Sequence, residues 1–142
     1  MSRRGALRGS GGQASIVLIG ALLVSLAFAG LAVDGARLFT ARRDLQNVAD
    51  AAALAGASAV DESAFRASEG SEVRLDAPGA RRAVERVLAV SGLPPATRVD
   101  VAVDADRVVV RLDRPVGMTF LRIAGMREER IGATAAAGPQ TG

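Results

Sequence analysis

Three regimes of hydrophobic and polar spacing follow one another along the chain. From Ala14 to Val33 the sequence ASIVLIGALLVSLAFAGLAV gives twenty predominantly apolar positions without alternation, inside an uncharged run from Gly9 to Val33. A half-buried strand would alternate, and an ordinary buried strand would be shorter. At about 1.5 Å per residue, twenty residues reach roughly 30 Å, the thickness of a bilayer's hydrocarbon core. The pattern predicts a transmembrane helix over 13–33, with the lipid bilayer as its surroundings. A buried core helix is the alternative, but the rest of the chain is too poor in large apolar side chains to surround one on all sides.

The second regime begins at Asp34. Leu38, Ala41, Leu45, Val48, Ala52, Ala55 and Ala59 recur every three or four positions, the spacing of one helical stripe. Arg42, Arg43, Asn47 and Asp50 fall mostly elsewhere, and Asp34 with Arg37 and Gln46 with Asp50 stand at helix-neighbour spacing. No proline occurs between Gln13 and Val60, and good helix formers dominate. One helix therefore crosses the bilayer and continues over 34–60 as an amphipathic rod. On this reading Asp34 is the membrane boundary, the point where lipid ends and not where the helix ends. The stripe is built mostly from small side chains, and Ala21, Ser25 and Ala29 repeat small residues within the span. Small residues let helices approach closely, which predicts a packing seam toward partner helices.

The third regime is shorter in period. Residues 61–77 are polar and non-periodic, and read as a loop. Asp76 before Pro78 is a helix start, Ala80, Val84, Val87 and Leu88 share a face, and Gly92 is a stop. Pro94 and Pro95 force extended chain. Val99, Val101 and Val103 alternate with polar residues, as do Val108, Val110 and Leu112. Folding the chain near Ala105 and Asp106 sets Val103 against Val108, Val101 against Val110 and Val99 against Leu112. The same register sets Asp104 beside Arg107, Asp100 beside Arg111 and Arg98 beside Asp113. Phe120, Leu121 and Ile123 predict a short helix or turn on the sheet, and Ile131, Ala133, Ala135 and Ala137 a third strand. The fold class is α+β: a transmembrane helix running on as an amphipathic one, then a small domain over 78–142 with one helix and a three-stranded antiparallel sheet. That domain has few large side chains, so packing against its own long helix or against neighbours is expected to stabilise it.

Charge and composition mainly exclude functions. The net charge is +3, from 18 basic and 15 acidic residues. Arg3, Arg4 and Arg8 supply the whole excess, and from Asp34 onward arginines and carboxylates balance. No basic face forms, and four phenylalanines are the only aromatic residues, so nucleic-acid binding is not expected. Cysteine and histidine are absent, which removes thiolate chemistry, the commonest metal ligands and the usual neutral-pH base. Asp100, Asp104 and Asp106 match no calcium-loop spacing, and the first two have an arginine opposite. Glu128 and Glu129 are adjacent and read as a solvated turn. No catalytic residue, cofactor, metal site or small-molecule substrate is expected.

The N-terminal residues 1–12 read as a basic cytoplasmic tail. Arginines flank both ends of the span equally, and the free amino terminus tips the balance toward an inside N-terminus and an extracytoplasmic domain. The alternative is export with a cleaved signal peptide, releasing a soluble binding domain. Ser2 to Arg8 is similar to a twin-arginine signal, and Ala27-Phe28-Ala29 has the small-x-small form of a peptidase site.

Gly12-Gln13-Ala14-Ser15, the apolar run, Val33-Asp34-Gly35, Arg42, Leu45-Gln46 and Ala49 to Ala55 carry a resemblance. Their order along one helix, from Gly12 to about Ala57, resembles the N-terminal region of TadE/TadG-like proteins of bacterial tight-adherence (Tad) pilus-assembly systems, and the TadG-like helix most closely. The resemblance implies a non-enzymatic, pilin-like or pseudopilin-like component, anchored by one helix that meets other Tad subunits. Prepilin-type processing would fall between Gly12 and Gln13. Processed pilins carry a glutamate at the fifth position after that glycine, where this chain has Val17, and its first glutamate is Glu62. A retained N-terminus is therefore expected.

Overall fold

The computed structural model describes residues 10–69 and 73–139. Residues 1–9 of the expected basic tail, with the twin-arginine stretch, and residues 70–72 of the expected loop lie outside the described residues; residues 10–12 of that tail are already helical. Helix α1 runs unbroken from Ser10 to Ala57. It joins the apolar and amphipathic regimes without a kink residue between them, as the helix formers on both sides of Asp34 require. It stops at Ala57, short of the expected residue 60, because the chain beyond is drawn into a β-bridge. Val60 pairs with Leu75, Asp61 N–H donates to Arg74 O at 2.8 Å, and Asp76 N–H donates to Ala59 O at 2.9 Å. The Ser58 hydroxyl donates to the terminal Ala55 carbonyl.

The loop expected over 61–77 contains a helix, α2, Glu62–Ala67. Asp61 starts it: the carboxylate accepts the Ser63 and Ala64 amides at 2.9 and 3.1 Å and the Ser63 hydroxyl at 2.5 Å. Those donors, the Ser63 hydroxyl first, hold the Asp61 carboxyl below its ordinary pKa against the opposing effect of burial. Helix α3, Ala77–Val90, has proline in its first turn, follows Asp76, and is capped at Ser91 before Gly92 in a left-handed conformation (φ 65°). Helix α3 is thus the one α-helix of the domain expected over 78–142, and the six-residue α2 lies in the segment read as a loop.

Strands β1 (Arg98–Val103), β2 (Val108–Gly117) and β3 (Glu128–Ala137) form an antiparallel sheet in the order β1-β2-β3. The hairpin has the register read from the sequence, from Val103 opposite Val108 to Arg98 opposite Asp113. Its outer face carries the pairs Asp104–Arg107 and Asp100–Arg111, each at 3.6 Å and exposed. Strand β2 outlasts β1, so Pro115 sits where β2 bonds to β3 alone and a missing N–H is tolerated.

The core lies between the inner face of this sheet and the outer half of α1, with α3 beside it. Leu45, Val84, Val108, Val110 and Leu112 are its largest fully buried apolar side chains, each stabilising by roughly 1.5–3 kcal/mol. Ala41, Ala49, Ala52 and Ala53 are buried on the helix, with Ala133 and Ala135 on β3. These small pairs let the helix lie close on the strands. At Gly56 the contact is tighter: a Cβ there would sit 2.9 Å from Val84 Cγ2 and 3.1 Å from both methyls of Val108. Strand β2 descends antiparallel to the rise of α1, from Val108 beside Gly56 to the β2–β3 connection beside Asp34.

Candidate functional site

Two features of α1 set what the molecule can do. The first is the free apolar length. Every residue from Ala14 to Ala29 is exposed, including Ile16, Leu18, Leu22, Leu26 and Phe28, and the first buried position is Gly30. The helix is long and apolar enough to cross a membrane. Nothing in the described chain covers this half, so the apolar surface faces its surroundings all round, as a lipid-facing helix does.

The second is the junction at Asp34. Asp34 is 1% exposed, the one buried charged residue among the described residues. Both carboxylate oxygens accept backbone amides from the β2–β3 connection: Thr119 at 3.0 Å, Phe120 at 2.8 Å and Leu121 at 2.8 Å. These donors open a 3₁₀ turn, Leu121–Ala124, that Gly125 closes in a left-handed conformation (φ 91°). The Leu121 amide is the strongest influence on the acid, lowering its pKa. Burial opposes it, the Thr119 and Phe120 amides add to it, and the Arg37 charge contributes last; the carboxyl sits below its ordinary value. Arg37 Nη1 donates to the Thr119 hydroxyl, so the expected Asp34–Arg37 neighbours grip the same loop side by side. One turn earlier, Phe120 lies on Gly30, where a Cβ would be 2.6 Å from the ring's Cγ. Gly30 thus leaves the gap that the ring fills.

Asp34 is therefore more than the first charge after the apolar run. Sequence reasoning assigned it the membrane boundary and missed its structural role, since its partners lie more than eighty residues away. A lone carboxylate four positions after a glycine, at the end of an uncharged stretch, was the available signal. The turn over 121–124 is also held by α1, where packing on the sheet was expected.

The expected seam divides as follows. Ala41, Leu45 and Ala52 are buried, and Leu38, Val48, Ala55 and Ala59 are half-buried. These positions, Ala55 apart, belong to or pack against the chain's own core. The stripe is thus occupied from within, by sheet and α3, and is not left open for a partner helix. Gln46 donates to Asp50 at 2.9 Å, as expected, and also to Thr134 O on β3 at 3.1 Å. The opposite face of outer α1 presents Phe39, Arg43, Asn47, Asp50 and Leu54 at helical spacing, all exposed. Gly12 and Gln13 lie in the first turn of α1, exposed, with nothing near Gly12.

An open groove runs beside α1, lined by Val33, Ala36, Arg37, Thr40, Ala41, Asp44 and Arg114. Arg114 reaches the Ala41 carbonyl at 3.5 Å while its Nε is buried without a partner.

Residues 12–59 match the Tad family model, "Putative Flp pilus-assembly TadE/G-like". The matched segment is nearly the whole of α1, including the apolar half, Asp34 and the buried stripe. No curated protein and no solved structure matches significantly. Helix α1 is thus similar to the TadE/G-like model over about a third of the chain, and the sheet domain beyond residue 59 is outside the match.

Proposed function

We propose that the chain is a membrane-anchored, pilin-like component of a bacterial Tad pilus-assembly system, acting by helix packing and not by catalysis. The observation that carries this reading is the continuity of α1: one helix is bare and apolar over its first half and is the spine of a folded domain over its second. The TadE/G-like match over 12–59 supports the pilus-assembly system as its setting. The bilayer takes the apolar half, the N-terminus stays cytoplasmic and the sheet domain stands outside. Partner Tad subunits meet the helix along the lipid-facing half and along the Phe39–Leu54 face, since the inner stripe is already filled.

Photo-crosslinking residues introduced at Leu22 and Phe39 in native membranes test this. The reading expects adducts with other Tad assembly subunits, an intact N-terminus on the membrane-bound chain, and loss of pili on deletion of the gene. Pili and adherence unchanged by deletion would refute the role. A mature chain starting at Gly30 would refute the anchor in favour of a released domain.

A further inference from the structure

The β2–β3 connection, Met118 to Arg127, is an exposed loop that carries three large apolar side chains. Ile123 is 88% exposed, Met126 51% and Phe120 41%. Isolated on a soluble surface, three such side chains would mark an unpartnered patch. Their place in the fold decides what covers them. Asp34 fixes the loop at the end of the apolar run, and Phe120 lies on Gly30, one helical turn further into that run. One turn is about 5.4 Å along the axis. The loop is thus held beside the helix at the level where the uncharged stretch ends.

We propose that this loop is a second membrane contact, with Phe120, Ile123 and Met126 entering the headgroup–acyl boundary of the bilayer that α1 crosses. The inference rests on the anchored reading of α1 given above. Two further observations support it. Seven of the loop's N–H groups already have partners: Asp34 takes the amides of Thr119, Phe120 and Leu121. The amides of Met118, Ile123, Gly125 and Met126 donate to Arg127 O, Phe120 O, Arg122 O and Leu121 O at 3.0–3.1 Å. A loop can enter a water-poor region only when its N–H groups have such partners. The charges also suit a phospholipid surface. Arg122 and Arg127 bracket Ile123 and Met126, and Arg37 projects from α1 onto the same loop. Long cationic side chains beside apolar ones are the composition of an interfacial anchor. Glu128 and Glu129 follow at the start of β3, opposite Gly117 and Val116, and Arg130 is next to them. The local balance stays basic. Held at two points, the domain would stand in a fixed orientation on the membrane instead of swivelling about a single helix.

The chain has no cysteine, so single-cysteine variants of the full protein can each carry one nitroxide. Ile123→Cys, Leu22→Cys and Ala105→Cys, reconstituted in phosphatidylcholine–phosphatidylglycerol vesicles, report depth through relative collision with oxygen and a water-soluble nickel chelate. The expected order is Leu22→Cys deepest, Ile123→Cys at the boundary with oxygen favoured over the chelate, and Ala105→Cys aqueous. An Ile123→Cys label as aqueous as Ala105→Cys, with Leu22→Cys in lipid, overturns the loop contact and leaves the anchor standing. An aqueous Leu22→Cys overturns both. Phe120→Glu/Met126→Glu in the Ile123→Cys background should return that label to water, and no change on that substitution would also count against the proposal.

Discussion

Paired alanine substitutions at two glycines of α1 test whether its outer half is the spine of the domain. Gly35 and Gly56 are both in the helix, and in an exposed helix interior each replacement by alanine would stabilise by up to about 1 kcal/mol. At Gly35 a Cβ meets nothing within 4 Å, so Gly35→Ala should keep that gain. At Gly56 the new methyl would lie 2.9 Å from Val84 Cγ2 and 3.1 Å from two Val108 methyls. Val84 and Val108 are fully buried, and valine has little rotamer freedom with which to retreat. Overpacking of this kind costs typically about 1–3 kcal/mol, which outweighs the propensity gain. Gly56→Ala should therefore destabilise by about 0–2 kcal/mol net, opposite in sign to Gly35→Ala. Denaturant unfolding of the full chain in nanodiscs, followed by far-ultraviolet circular dichroism, reads both. Gly56→Ala as stabilising as Gly35→Ala would refute the close packing of α1 on α3 and β2.

Three further outcomes follow from the same contacts. Leu112→Ala, at a fully buried position on β2, should cost about 2–5 kcal/mol with an unchanged denaturant slope in the same unfolding assay. Asp34→Asn should speed amide exchange at Thr119, Phe120 and Leu121 more than at any strand amide, because a charged acceptor of three N–H groups becomes a neutral one. Its pH dependence has a definite sign. The folded-state pKa is depressed, so the contribution is fully present above the ordinary carboxylate pKa of about 3.9 and is lost as pH falls through the lower folded value. Exchange at these three amides between pH 5 and pH 2 should show that loss in the native chain and not in Asp34→Asn. Asp61→Ala should fray α2, seen as faster exchange at Ser63 and Ala64, while leaving β2 unaffected.

What the sequence made legible was what short-range spacing encodes. The hairpin was readable to the residue because alternating valines and oppositely charged neighbours specify one register across a tight turn. The length of α1 followed from apolar count and the absence of breakers, and β3 from alternation despite its alanines. The misses share a cause. Asp34 closes on the amides of residues 119–121, a contact that no local pattern announces, so a lone aspartate read as the edge of the lipid. The stripe from Leu38 to Ala59 was legible as a packing surface but not as to its partner, since a seam of alanines fits a sheet as well as a helix. Helix α2 is six residues long, too short for periodicity to register. Its start was nevertheless written in Asp61, Glu62 and Ser63, an N-cap with an acid in the first turn.

Amide hydrogen exchange across Gly30 to Ala41, measured on the full chain in bilayers, bears most directly on a single helix that passes from lipid into a folded domain. Continuous protection through Asp34, matching that of Leu45 within the domain, is the expected result. Rapid exchange confined to residues 33–38, between a protected span and a protected domain, would mean that anchor and domain are joined by a hinge and would contradict the account.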